Sequence, residues 1–155
     1  MSQSLSFDIV AAHRYFSAEC FNRAWDLIEK PQRTAEDDEK MLLLSLASLW
    51  HWTQRPDRTP TNLSVGYWQA SRIYALLGQS DNARKYAQFC LRVCQGEDIL
   101  PFYLGYAYEA LARAEMVAGD REKMKDYLQK AMQVTEKMSD PEAKKQLLED
   151  LSTIR

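Results

Sequence analysis

Tyr67-Trp-Gln-Ala-Ser-Arg-Ile-Tyr-Ala-Leu-Leu-Gly78 returns in degenerate form, 41 residues later, as Tyr108-Glu-Ala-Leu-Ala-Arg-Ala-Glu-Met-Val-Ala-Gly119. Tyr67 answers to Tyr108, Arg72 to Arg113 and Gly78 to Gly119, and beyond the glycines Tyr86 and Cys90 answer to Tyr127 and Ala131. Each copy reads as a helix closed by a glycine in the left-handed C-terminal position, followed by a second helix. Loops this short permit only antiparallel pairing. A repeated helix hairpin is therefore the unit of construction.

The flanking sequence extends the pattern in both directions. Upstream, Ser6 is a candidate N-cap for a helix from Phe7 to Lys30, where neither Gly nor Pro intervenes and Ile9, His13, Phe16, Cys20, Ala24 and Leu27 recur at helical steps. Pro31 stops it, and Thr34 with Glu36, Asp37 and Asp38 opens a second helix to Gln54 that is apolar around most of its circumference. The segment Arg55 to Asn62 holds two prolines and reads as a loop that launches the first copy at Leu63.

Downstream, Ser80 is the expected cap of the partner helix, with Ala83, Tyr86, Ala87, Cys90, Leu91 and Cys94 as its apolar stripe. After Gln95-Gly96-Glu97-Asp98 a helix from about Ile99 is followed by one from Asp120 to Lys137, with Met124, Tyr127, Leu128, Ala131 and Met132 inward. Ser139-Asp140-Pro141 opens a last amphipathic helix with Ala143, Leu147, Leu151 and Ile154 on one face and Lys144, Lys145, Glu149 and Asp150 on the other. Such a helix suits the lid of a repeat stack. The expected organisation is one all-α domain over 1–155, with hairpins at about 6–54, 63–94 and 99–137 and a cap at 140–154.

Composition narrows the functional classes. A net charge of -2 and a pI near 5.7 leave no basic excess for a nucleic-acid backbone. No apolar run reaches the length of a membrane span, and Met1 to Ser6 lacks the pattern of a signal peptide, so a cytoplasmic protein is expected. Cys20, Cys90 and Cys94 are an odd set without Cys-x-x-Cys spacing, read as small core residues rather than a disulfide framework or zinc knuckle. Phosphate-loop, dinucleotide and nucleophile-elbow motifs are absent from the chain. His13 and His51 are the only histidines, and any enzyme, metal or small-molecule sensor reading must use one of them. Their placement follows no metal-ligand spacing, and His51 between Trp50 and Trp52 reads as a polar member of a helix interface. No cofactor or metal is expected.

The residues of the two copies resemble the tetratricopeptide-repeat family. Ser71, Tyr74, Gly78, Ala83 and Cys90 fit one repeat, and Ala112, Gly119, Leu128 and Ala131 the next. The likeness covers roughly residues 64–137. It departs from the family in its 41-residue spacing against about 34, in Glu115 and Met124 where Tyr and Ala are usual, and in the missing closing prolines. The resemblance implies a right-handed superhelix of antiparallel hairpins whose first helices line a concave surface that binds peptide segments of other proteins. Carried over by position, that surface includes Trp68, Arg72, Glu109 and Arg113, with Met116 beside them. Trp52 is a further candidate, as one of the two tryptophans expected at the surface.

Two guanidinium groups on neighbouring helices can grip an acidic side chain or a C-terminal carboxylate bidentately. The same arginines can instead pair with Glu109 or Glu115 and tie helices together, and both readings stay open. The expected function is a non-catalytic scaffold for a protein or peptide. The alternatives are a homodimer built on the apolar excess of residues 41–52, or a sensor or enzyme using His13 or His51.

Overall fold

The chain folds where its caps and breakers direct, and the computed structural model describes residues 6–96 and 98–155. Among these it forms seven helices and no strand: α1 (Ile9–Ile28), α2 (Ala35–Gln54), α3 (Pro60–Leu76), α4 (Ser80–Val93), α5 (Pro101–Ala118), α6 (Arg121–Glu136) and α7 (Pro141–Ser152). Most of Met1 to Ser6, read above for targeting, and Glu97 of the link after α4 lie outside the described residues. No helix among the described residues is long and apolar enough to cross a membrane.

The helix ends show which local signal wins where several compete. Asp8, not Ser6, caps α1, its carboxylate accepting from the amides of Val10 and Ala11. Thr34 and Asp37 form a reciprocal capping box at α2, and Asp120 and Asp140 cap α6 and α7 with their side chains. α3 begins at Pro60, ahead of the expected Leu63, because a proline is tolerated in a first turn that has no use for its missing N–H. Ser80 lies inside α4, and Gln79 takes the cap position without a side-chain hydrogen bond. Gly78 and Gly119 adopt φ of 74° and 80° at the ends of α3 and α5, where a side chain would be strained. The two copies thus share backbone geometry as well as residue types.

The chain divides into two compact units, one ending at Thr59 and one running from Pro60 to Arg155. In the first, α1 and α2 form a hairpin. Ser17, Cys20 and Ala24 of α1 and Met41, Ser45, Ser48 and Leu49 of α2 are buried, and Ser48 Oγ donates to the Ser17 carbonyl at 2.7 Å across the seam. Small residues at this seam let the helices approach closely.

In the second unit α3 pairs with α4 and α5 with α6; α5 also packs on α3, α4 and α7, and α7 rests on α5 and α6. Ala83, Ala87 and Cys90 of α4 and Cys94 at its C-cap are buried, as the stripe predicts. Ser71 Oγ donates to the Ala83 carbonyl at 2.8 Å, so the small residue at the hairpin crossing also satisfies a backbone acceptor. The core joins Tyr106, Ala112, Met124, Ala131, Leu147, Leu151 and Ile154. Gly105 provides the close approach for α7: a Cβ there would stand 2.5 Å from Leu147 Cδ2. Met132, expected inward, is exposed, because the stripe of α6 narrows to Met124, Ala131 and Val134.

Candidate functional site

α5 is apolar enough to be buried on several sides, and it carries three charged residues into the interior: Glu109, Arg113 and Glu115. A buried carboxylate is stable only when its oxygens are occupied. Glu109, with no solvent exposure, accepts from Trp68 Nε1 at 2.8 Å on one oxygen. On the other it meets Arg113 Nε at 2.7 Å and Nη2 at 2.6 Å. Arg113 lies four residues along the same helix, and its Nη2 continues to the Asp150 carbonyl at 3.2 Å and Thr153 Oγ1 at 2.8 Å, tying α5 to the end of α7. Arg72, on α3, reaches the same Glu109 oxygen only at 3.5 Å.

The structure thus brings together Trp68, Arg72, Glu109 and Arg113. The contact between Trp68 and Glu109 joins equivalent positions of the two copies, which explains why a repeat offset of 41 finds both partners. Trp52 is on α2 in the first unit, where the guanidinium of Arg55 stacks over its ring at 3.9 Å. Arg55 also grips Asp57 through Nε and Nη2 at 2.9 and 2.8 Å, holding that carboxyl down to about 2. Part of the Pro-rich loop is therefore folded back onto the end of α2. Met116 is half-buried against the core of the second unit.

Three members of the cluster are not evident from the repeat. Tyr106 donates to Asp150 through a short hydrogen bond and packs edge-on against Trp68, with centroids 5.5 Å apart. Burial, and then the bond to Asp150, push the Tyr106 hydroxyl well above the ordinary phenol range. Asp150 and Thr153 complete the set from α7. Asp150, expected on the polar back of that helix, instead turns toward α5. Glu115, the other acceptor considered for the repeated arginines, is taken by Arg84 of α4, whose Nε and Nη2 bond its two oxygens at 2.6 and 3.1 Å.

The electrostatic balance of the cluster falls on Arg72. Burial, and then the charge of Arg113, depress its affinity for its proton, against the opposing pull of Glu109, Asp150 and Tyr106. Its side chain keeps 22% exposure, whereas that of Glu109 keeps 1%. Arg113 is fastened by short bonds, while Arg72 holds Glu109 only at the limit of hydrogen-bond distance.

In the first unit the two histidines meet. His13 Nδ1 and His51 Nδ1 stand 2.8 Å apart, so one imidazole donates and the other accepts. Burial, and then His13, lower the His51 value from its ordinary level near 6.5. A histidine with a lower value in the folded than in the unfolded state leaves the unfolded chain binding more protons between the two values. Stability of the first unit is thus complete above pH 6.5 and falls as pH drops through the folded value. In thermal unfolding between pH 8 and pH 5 with chelator present, His51→Gln is expected to flatten this slope; an equal slope in both proteins rejects the assignment.

No family model matches the chain, no curated protein matches it in sequence, and no solved structure matches it.

Proposed function

We propose that residues 60–155 form a tetratricopeptide-like hairpin array that binds a partner protein without catalysis. In this reading α3, α5 and α7 present the recognition face, and an acidic side chain or C-terminal carboxylate of the partner docks on Arg72. The position of Arg72 carries the reading: a guanidinium mostly removed from water, beside a second arginine, whose contact with Glu109 is 3.5 Å long. Such a group has donors to spare for a planar carboxylate, and the site would gain a bidentate pair where it now holds a weak one. Trp68 and Tyr106 supply the rigid aromatic surface beside it.

The test is an array of acidic peptides with free C-termini, followed by anisotropy titration of the peptides it selects. Arg72→Ala should weaken capture at least about tenfold. Because its contact with Glu109 is long and Glu109 keeps its bonds to Trp68 and Arg113, the variant should lose only about 1 kcal/mol of stability. Unchanged capture together with a large loss of stability would mean that Arg72 only ties α3 to α5.

A second reading, self-association through the first unit, draws on different residues. Leu43 and Trp50 of α2 and Tyr15 and Phe16 of α1 are large, apolar and exposed. Sedimentation at low micromolar concentration distinguishes the two, since a monomer there rejects the dimer.

A further inference from the structure

We propose that His13 and His51 form a two-imidazole site for a divalent transition ion with tetragonal preference, Cu2+ or Ni2+. The two rings reach each other from different helices, His13 from α1 and His51 from α2, and their Nδ1 atoms stand 2.8 Å apart. An ion bound at the usual metal-to-imidazole distance of about 2.0–2.1 Å from both atoms would subtend an N–metal–N angle of roughly 85–90°. That is the angle between neighbouring positions of a square or octahedral ion and is well short of the tetrahedral angle zinc prefers. The preference of nitrogen donors for Ni2+ and Cu2+ over the earlier divalent ions points the same way.

The surroundings fix the rings. His51 stacks on Phe16 with centroids 5.4 Å apart, Trp50 meets His51 at 4.9 Å, and Trp50 also meets His13 edge-on at 5.4 Å. The ring contacts hold the two imidazoles together before an ion arrives, which lowers the ordering cost that two free side chains would carry; each ring then turns to aim its Nδ1 lone pair at the ion and not at the other ring. Phe16 and Trp50 are 43% and 55% exposed, so the pair lies near the surface of its hairpin. Among the described residues no third His, Cys, Asp or Glu joins the pair, and water would fill the remaining positions. The proton now shared between the two Nδ1 atoms has a place to go: the donating ring transfers it through solvent to its own Nε2. That shift within the ring leaves its net charge unchanged.

Titration calorimetry of the full chain with CuSO4 and NiCl2 at pH 7.5 tests the site. One ion per chain is expected, with MgCl2 giving no heat. His13→Gln and His51→Gln should each weaken binding at least about tenfold with the helical circular dichroism unchanged. The electron paramagnetic resonance spectrum of the Cu2+ complex of the unaltered chain should show splitting from two nitrogens, and it decides the matter even if a variant fails to fold. Equal affinity in the unaltered chain and both folded variants would overturn the proposal, as would a Cu2+ spectrum without splitting from two nitrogens.

Discussion

Glu109→Ala is expected to destabilise residues 60–155 by about 3–5 kcal/mol. The loss exceeds that of one ion pair, because the carboxylate is the shared acceptor for Trp68, Arg72 and Arg113. Without it, the part-buried indole N–H loses the carboxylate it donates to here, and two guanidinium groups already in repulsion have no anion between them. Arg113 would keep its bonds to Asp150 and Thr153, so the end of α7 would hold a charge with no carboxylate partner. For a unit of this size the melting temperature should fall by roughly 15 °C or more, read by circular dichroism. Trp68 is the only tryptophan of the second unit, and its fluorescence should change with the same variant. A loss under about 1 kcal/mol would show that the cluster is far more hydrated than its burial indicates.

The second large effect is expected at Arg84. This side chain keeps 29% exposure but bonds both oxygens of Glu115, which keeps only 2%. Arg84→Ala leaves a buried carboxylate without its guanidinium partner, and chemical denaturation should register a loss of about 3 kcal/mol. The second contact of Arg84, with Asp81, is to a group on the surface and contributes little. The pair Arg84→Met with Glu115→Leu removes both charges and keeps most of the volume, and it should recover most of the loss. If the double variant is as unstable as the single one, the stranded charge of Glu115 is not the source of the loss.

Much of this fold was legible because its punctuation is local. Gly78 and Gly119 close α3 and α5 in the left-handed conformation that glycine favours, and Thr34, Asp120 and Asp140 satisfy amides within their own first turn. The misplacements also have local causes. Ser6 and Asp8 stand within one turn of each other, and the stronger acceptor took the cap. Pro60 reads equally as loop and as first turn until the helix above it is seen.

The site was legible only as far as the repeat reaches. Trp68, Arg72, Glu109 and Arg113 come together because equivalent positions on α3 and α5 are neighbours. Tyr106, Asp150 and Thr153 depend on how α7 descends onto Gly105, a tertiary approach that no periodicity in the chain encodes. The polar face of α7 looked uniform in sequence, and burial selected one acid from it. Trp50 shows the same limit: periodicity marks α2 as apolar nearly all round, and tertiary packing leaves Trp50 and Leu43 exposed.

Glu109 touches α3 through Trp68 and Arg72, and through Arg113 its influence extends to α7. Whatever competes for Arg72 changes the share of that carboxylate left to Arg113, and the tightness with which Arg113 holds the last turn of α7 changes with it. By reciprocity, whatever loosens α7 alters the hold on Arg72 by the same free energy. Glu109 at the centre of α5 is therefore expected to couple α3 to α7, in addition to the direct charge interaction between Arg72 and Asp150.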